Sequence, residues 1–201
     1  KTLGYDLQGI VPRVLKQANP QSSTKYTVVI VGAGAAGISV AASLLSRQAD
    51  LDIAIIDPAD IHYYQPGWTM VGGGIFPPAK TARQMRDLIP QKVKWIQQAV
   101  AAFDPENKQV ILEGCKPLSY EALVICPGLK LNWHGIEGLV ETLGKNGVTS
   151  NYRYDLAPYT WQLVQNLKKG KAVFTQPPMP IKCAGAPQKA MYLSADHWKK
   201  Q

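Results

Sequence analysis

The chain has 201 residues, of which 46% are hydrophobic and 18% charged, and its formal net charge is +8. This composition predicts a globular protein with one substantial core or two smaller ones, and it excludes a disordered tail. Three cysteines are too few for the closed disulfide framework of a small secreted scaffold.

The positive charge lies at the two ends of the chain. Residues 1–26 carry a net charge of +3 and residues 168–201 carry +6, whereas residues 27–167 carry −1. Because the middle is neutral, this pattern argues against a nucleic-acid-binding protein; basic ends fit solubility, a targeting arm or an anionic membrane surface. Residues 1–25 lack the apolar run of a secretory signal, and we predict a basic N-terminal arm compatible with the tail of an organellar transit peptide.

Residues 27–45, "TVVIVGAGAAGISVAASLL", contain no charged side chain. The stretch is long enough to raise the question of a membrane span, but its pattern changes partway along. Thr27–Val31 is a β-branched run typical of a buried parallel strand, and Ile38–Leu45 is rich in small residues and leucine, as in a helix packed on a sheet. The pattern therefore predicts a buried strand–turn–helix unit.

The turn between that strand and helix has the spacing G-x-G-x-x-G. Gly32 allows a tight turn, Gly34 allows backbone amides to approach a pyrophosphate, and Gly37 allows the helix to pack close to the strand. The N-terminus of the helix then offers unpaired N–H groups and a positive dipole end to an anion. We predict cofactor contacts at these three glycines and at Ala35 and Ala36.

An acidic residue follows the second predicted strand. The run "LDIAIIDP" reaches Asp57 twenty residues after Gly37. A carboxylate at this place accepts hydrogen bonds from ribose hydroxyls and repels a 2′-phosphate, which disfavours NADP. The unit is therefore predicted to be a Rossmann-like α/β domain that binds an adenine dinucleotide, either FAD or NAD.

The next segment favours FAD. Residues 62–74, "HYYQPGWTMVGGG", are aromatic, glycine-rich and too irregular for another strand and crossover helix, whereas an extended flavin needs added loops. Gln65 is the candidate cofactor contact here because its amide both donates and accepts hydrogen bonds. His62 is expected to hold the loop by hydrogen bonding, and no His/Cys cluster has the spacing of a metal site.

Two later segments continue the pattern. Residues 92–112 predict a strand, a second strand, a hairpin and a third strand, and a buried strand at Ala122–Cys126 precedes Pro127 and Gly128. The latter resembles the strand-plus-"ATG" element of two-dinucleotide-domain flavoproteins, where the chain crosses over the FAD, although Cys and Pro replace the usual Ala and Thr. That resemblance implies cofactor contacts at Gly128 and, where the first of the earlier strands ends, at Val100.

The chain as a whole resembles the sulfide:quinone oxidoreductases of the mitochondrial and related bacterial type. The resemblance is carried by "VGAGAAG", "IDP", "HYYQPGWTMVGGG", "CPGLKLNWHGIEGL", "SNYRYDLAPYTW" and "FTQPPMPIKCAGAPQKAMYLS", which together span about residues 26–198. The glycine motif is common to many flavoproteins, whereas "HYYQPxW" and "PIKCAGAPQK" are far more specific to this family.

The resemblance implies a redox role for Cys183. In the family, a cysteine in the matching loop faces the flavin on the sulfide side and carries sulfur as a persulfide. The residues around it agree, because Pro187 is a favourable first residue for a helix that then runs through residues 188–193, and Lys182 adds a cation; both favour a thiolate. Cys126 is expected to be a core residue and Cys115 a surface-turn thiol.

The implied reaction is the oxidation of hydrogen sulfide. Sulfide attacks a cysteine disulfide or trisulfide, two electrons pass through FAD to a membrane quinone, and the sulfane sulfur leaves on a small acceptor such as a thiol or sulfite. The resemblance also implies a peripheral enzyme of the mitochondrial inner membrane, or of the bacterial cytoplasmic membrane. The alternatives are another two-dinucleotide-domain flavoprotein, namely an NADH:quinone oxidoreductase or a flavocytochrome sulfide dehydrogenase, or a non-catalytic nucleotide-binding protein.

The expected domain organisation follows from the same resemblance. Residues 26–146 are predicted to form the first part of an FAD-binding domain, and residues 147–201 the start of a second dinucleotide-type domain that carries Cys183. Because the family is roughly twice this length, the chain is expected to be an N-terminal fragment that lacks the second redox cysteine, the quinone pocket and the membrane-binding helices. Such a fragment is expected to be inactive by itself.

Overall fold

The computed structural model describes residues 24–114 and 117–201. The predicted arm at residues 1–25 lies almost entirely outside the described residues, as does Cys115. The strands are β1 (Thr24–Val31), β2 (Ile53–Ile56), β3 (Ile61–Tyr63), β4 (Ala82–Gln84), β5 (Lys94–Ile96), β6 (Val100–Asp104), β7 (Gln109–Leu112) and β8 (Pro117–Ile125). The α-helices are α1 (Ala35–Arg47), α2 (Trp68–Gly72), α3 (Leu139–Thr142), α4 (Ala157–Asn166) and α5 (Gly185–Lys199).

The chain forms two compact units. The first contains the described residues up to His62 together with Gln84–Leu129, and the second contains Tyr63–Arg83 and Lys130–Gln201. The predicted domain boundary between residues 146 and 147 stays a prediction. No helix in the described part of the chain is long and apolar enough to cross a membrane.

The first unit is built on a six-stranded sheet in the order β5-β2-β1-β8-β7-β6. The strands β5, β2, β1 and β8 run parallel to one another, and β7 and β6 add an antiparallel ribbon beside β8. The predicted Rossmann-like α/β fold is thereby confirmed. The charge-free stretch is divided between β1 and α1, as its change of pattern predicts.

Side chains of β1 alternate between two cores, as the period of two in a strand requires. Val28 and Ile30 belong to the cluster that contains Ala41 of α1. Val29 and Val31 belong to the cluster on the other face of the sheet, with Val110, Leu112, Leu118 and Tyr120. Because both faces of β1 are buried over residues 28–31, that part of the strand is continuously apolar rather than alternating.

One expectation about the sheet is wrong. The strand end at residues 122–126 was predicted to be buried, but Ile125 is 55% exposed and Cys126 is only half-buried. In this part of the strand β8 pairs with β1, whereas its recorded pairing with β7 covers only Pro117–Ser119. The end of β8 therefore has a hydrogen-bonded neighbour on one side only, among the described residues.

The second unit contains the helices α2, α3, α4 and α5. Its aromatic cluster consists of Tyr63, Trp68 and Tyr154, with ring centroids 4.7–6.2 Å apart. The glycine run 72–74 packs beneath other side chains of the unit, since a Cβ added at each glycine would lie 2.4–2.8 Å from Asn151, Leu193 or Trp161. The glycine-rich part of "HYYQPGWTMVGGG" thus allows α2 to pack closely against its surroundings.

Candidate functional site

The glycine turn joins β1 to α1 in the first unit. Gly32 has φ +97°, and a Cβ there would lie 2.1 Å from the Cys126 carbonyl oxygen. A Cβ on Gly37 would lie 1.9 Å from the Gly32 carbonyl oxygen. The tight turn and the close helix–strand packing expected from the spacing are therefore both present, and any larger residue at either position would collide with backbone.

Gly34 differs from these two glycines. No heavy atom lies within 4 Å of the position that a Cβ would occupy there, so the chain leaves open space in front of this residue. Gly34 is the N-cap of α1, which has no side-chain cap and no acidic residue in its first turn. The first N–H groups of a helix have no intrahelical partner and carry a partial positive charge. This end of α1, which begins with Ala35 and Ala36, suits an anion.

Asp57 is fixed beside the glycine turn. Its Oδ2 accepts a hydrogen bond from the Ala33 N–H at 2.7 Å, and its Oδ1 accepts one from the Ala59 N–H at 2.9 Å. The indole Nε1 of Trp95 donates to the Asp57 carbonyl oxygen at 3.0 Å. Each carboxylate oxygen retains further capacity to accept hydrogen bonds, so the oriented side chain can still receive ribose hydroxyls. Sequence reasoning missed Trp95, which lies 38 positions away.

The remaining candidates of the first unit lie at strand ends. Gly128, with φ +75°, follows β8 and is exposed, with no heavy atom within 4 Å of an added Cβ. Val100 is half-buried and begins β6, where it pairs with Leu112. It therefore opens the second strand of the predicted series rather than ending the first. The predicted cofactor contacts at both positions stay predictions.

Cys183 lies in the second unit, at the end of an extended segment. It is an exposed free thiol, and its backbone has φ +61°, in the left-handed region that a side chain with a Cβ rarely adopts. The helix α5 begins at Gly185, two residues earlier than predicted, and ends at Lys199. Pro187 is therefore the third residue of the helix, where its missing N–H is still one of the unpaired donors of the first turn.

Hydrogen bonds from distant residues hold the loop around Cys183. The Tyr152 hydroxyl donates to the Lys182 carbonyl oxygen at 2.5 Å and lies 3.4 Å from the Cys183 carbonyl oxygen. The Lys182 ammonium donates to Oε1 of Gln65. Burial, and next the nearby Cys183, raise the pKa of Tyr152 above its ordinary value of 10.0. The phenol is therefore a protonated donor at neutral pH.

Gln65 and Lys182 thus have partners that the sequence did not predict. Gln65 was predicted to contact a cofactor, and its Oε1 is here occupied by Lys182, which leaves the amide N–H groups as donors. Lys182 was predicted to act as a cation beside the thiol, and its ammonium is directed to Gln65. His62, which was expected to hold the loop, is half-buried in the short strand β3.

Comparison with known proteins adds a family assignment. Residues 26–168 match the family model described as pyridine nucleotide-disulphide oxidoreductase. The chain is 45% identical over 175 residues to a protein of Dictyostelium discoideum named sulfide:quinone oxidoreductase, mitochondrial, and 39% identical over 175 residues to a mouse protein of the same name. These matches cover 86% and 87% of this chain but only 39% of each relative.

A solved structure is similar as well. The structure of the sulfide:quinone oxidoreductase of the bacterium Aquifex aeolicus aligns with a TM-score of 0.59 and 26% identity. The alignment covers 72% of this chain and 32% of the Aquifex chain. The chain thus spans about two fifths of the length of the curated relatives that it matches.

Proposed function

Because the chain belongs to the pyridine nucleotide-disulphide oxidoreductase family, we propose that it forms part of a flavoenzyme that oxidises hydrogen sulfide and passes the electrons through FAD to a membrane quinone. The observation that carries the proposal is the 35–45% identity, across most of the chain, to three relatives that are each named sulfide:quinone oxidoreductase. We assign the activity that these relatives are named for to the whole protein.

The first unit offers a site that fits the adenine dinucleotide part of FAD. The open space at Gly34 and the uncapped N-terminus of α1 suit a pyrophosphate, and the oriented Asp57 carboxylate suits a ribose. Ala35 and Ala36 would present their amides, and Gly32 and Gly37 would shape the turn. Gly128 and Val100 are proposed as further contacts of this unit, and Gln65 as a cofactor contact that belongs to the second unit. FAD, when bound, accepts two electrons and delivers them to the quinone.

The second unit offers the sulfur-carrying residue. Cys183 is exposed, so its sulfur is accessible to a small nucleophile. In the proposed step, hydrogen sulfide attacks a disulfide between Cys183 and a second cysteine, which the resemblance implies lies beyond residue 201. The disulfide bond breaks, a new S–S bond forms on Sγ of Cys183, and the second cysteine leaves as a thiolate. Cys183 then carries a persulfide.

The two electrons leave before the sulfur does. The thiolate of the second cysteine forms a bond to the outer sulfur of Cys183, FAD, when bound, would accept the two electrons lost in forming this bond, and the sulfur then bridges the two cysteines as a trisulfide. A thiolate or sulfite attacks the bridging sulfur and releases the Cys183 thiolate, which attacks the sulfur of the second cysteine, re-forms the disulfide and releases the acceptor with its added sulfur. The atoms therefore balance, since one sulfide sulfur is transferred to one acceptor for each pair of electrons.

The proposed location is the surface of the mitochondrial inner membrane, or of the cytoplasmic membrane in a bacterium. The relatives at 35–45% identity are named mitochondrial. The basic ends of the chain would be attracted to an anionic membrane surface.

The experiment is an anaerobic titration of the complete purified protein with sulfide, followed by the flavin absorbance. We expect bleaching of the flavin in the wild type and its loss in Cys183→Ala, whereas Cys115→Ala, which alters the predicted turn thiol, should bleach normally. Equal bleaching in wild type and Cys183→Ala would refute the role of Cys183. Bleaching by NADH but not by sulfide would favour the NADH-linked alternative, and a protein that binds no flavin would favour the non-catalytic one.

A further inference from the structure

Tyr152 lies 30 positions before the loop that it contacts. Its hydroxyl donates to the Lys182 carbonyl oxygen at 2.5 Å, which is a short hydrogen bond, and its distance to the Cys183 carbonyl oxygen is 3.4 Å. The stronger bond is therefore to Lys182, and the contact to Cys183 is the weaker branch of a bifurcated interaction.

These two carbonyl groups belong to the two peptide units on either side of the Cys183 Cα. The orientation of those two planes determines φ and ψ of a residue, so a donor that contacts both carbonyls restrains the backbone at Cys183 directly. The second carbonyl is also held by the Ala186 N–H at 2.9 Å, where α5 begins. The restrained conformation is a costly one, because Cys183 has φ +61° and is not a glycine.

The side chain of Lys182 is held too. Its ammonium donates to Gln65, so both the carbonyl and the side chain of the residue before Cys183 have partners within the second unit. Burial is the larger cause that raises the pKa of Tyr152, and the charge of a nearby Cys183 thiolate is the smaller one. Both effects keep the phenol protonated, which is the state in which it donates.

We infer that Tyr152 is the positioning residue of the sulfur-carrying loop: its hydroxyl holds the peptide units that flank Cys183 and thereby fixes the direction of Sγ. The inference rests on the proposed role of Cys183 in sulfide oxidation. Tyr152 touches no reacting atom in this account and acts only through the backbone of Cys183.

The test compares Tyr152→Phe with a matched control, Tyr159→Phe, in the complete FAD-loaded protein. The Tyr159 hydroxyl accepts a hydrogen bond from the Gly147 N–H at 3.1 Å in the same unit, so each variant removes one hydroxyl bonded to backbone. The melting temperatures of the two variants are compared first and are expected to agree closely. A specific effect on Cys183 then cannot come from a general loss of stability.

The first readout is independent of sulfide chemistry. The reduced protein is treated with iodoacetamide, and the modification of Cys183 is followed by mass spectrometry of its peptide. We expect alkylation to be at least threefold faster in Tyr152→Phe, because the released loop samples conformations in which Sγ is easier to reach, and unchanged in Tyr159→Phe. Equal rates in wild type and both variants would overturn the inference.

The second readout is the rate of flavin reduction by sulfide in stopped flow. Loss of one hydrogen bond of ordinary strength lowers the limiting rate about fivefold in Tyr152→Phe. The half-saturating sulfide concentration and the FAD content are expected to match those of Tyr159→Phe, and a limiting rate equal to that of the control would also overturn the inference. If wild-type flavin is not reduced by sulfide at all, the proposed function fails, and the alkylation rates still decide whether Tyr152 positions Cys183.

Discussion

The glycine turn of the first unit and the cysteine loop of the second are held in place by different means. Backbone packing fixes the turn, since an added Cβ on Gly32 or Gly37 would lie about 2 Å from a carbonyl oxygen. Two hydrogen bonds to residues distant in sequence fix the loop: the Tyr152 hydroxyl donates to the Lys182 carbonyl oxygen, and the Lys182 ammonium donates to Gln65. Packing defects of this kind cost several kcal/mol, whereas a hydrogen bond contributes about 1 kcal/mol. Substitutions in the turn should therefore destabilise the fold, whereas substitutions in the loop should impair the site and leave the fold intact.

Gly37→Ala is expected to have the largest effect. Replacing glycine by alanine inside a helix ordinarily stabilises it by about 1 kcal/mol. Here the new Cβ would lie 1.9 Å from the Gly32 carbonyl oxygen, so we expect a destabilisation of about 3 kcal/mol or more. Urea denaturation of wild type and variant measures this change in the free energy of unfolding.

Gly34→Ala is the matched control for that variant. Its Cβ enters open space, and the free energy of unfolding should change by less than about 1 kcal/mol. The affinity for FAD should nevertheless fall, since the methyl group enters the proposed phosphate site. Similar losses of stability in the two variants would show that packing does not distinguish these glycines.

Asp57→Asn tests the electrostatic part of the first site. Asparagine keeps one acceptor oxygen for the Ala33 or Ala59 N–H but loses the negative charge and the second acceptor. Hydrogen bonds to a charged group contribute about 1.5–3 kcal/mol, so the dissociation constant of FAD should rise by roughly 10-fold to 100-fold. Fluorescence titration of the apoprotein with FAD measures this change, and an unaltered constant would remove Asp57 from the site.

Cys183→Gly and Cys183→Ala separate the conformation of the loop from its chemistry. Both variants lack the sulfur and should fail to react with sulfide. Because glycine adopts φ +61° without steric cost, the glycine variant should be more stable than the alanine variant by about 1 kcal/mol. Thermal unfolding of the pair measures the difference, and a more stable alanine variant would contradict the left-handed backbone at this residue.

The smallest expected effect is on the ionisation of Tyr152. Its pKa is raised above 10.0 chiefly by burial and secondarily by the nearby Cys183. Because the pKa is raised in the folded state, the folded protein keeps this proton to a higher pH than the unfolded chain. The contribution of Tyr152 to the free energy of unfolding is therefore fully present below pH 10 and is lost as the pH rises through the pKa of the folded state. The tyrosinate absorbance of wild type should therefore exceed that of Tyr152→Phe only above pH 10.

Cys183→Ala provides the control for that titration. Removing the thiolate should lower the pKa of Tyr152 slightly and leave most of the elevation in place, because burial is the larger cause. If Tyr152 titrated at its ordinary pKa in wild type, the half-buried, hydrogen-bonded state of the phenol would be contradicted.

Local patterns predicted the first unit well. The strand, turn and helix around Gly32, and the strand that leads to Asp57, follow from β-branched runs and glycine spacing that act over neighbouring residues. The orientation of Asp57 by the Ala33 N–H could not be predicted, since a hydrogen bond across 24 positions leaves no local pattern. The exposed end of β8 was mispredicted because an apolar run indicates a strand without showing which neighbours cover it.

The second unit was predicted chiefly by resemblance. Cys183 was identified from the motif around it, but its left-handed backbone carries no sequence pattern, because such residues are usually glycine. Tyr152 and Gln65 lie 30 and 117 positions from Lys182, and only the tertiary structure brings them to it. The predicted helix began two residues too late because Pro187 was placed at its first position rather than its third.

Whether Cys183 carries the sulfur can be read from the mass of its peptide after the complete oxidised protein receives one equivalent of sulfide without oxygen or acceptor. We expect the Cys183 peptide to gain one sulfur atom as the flavin bleaches and to lose it when sulfite is added. Flavin bleaching with an unmodified Cys183 peptide would contradict the claim that Cys183 carries the sulfur.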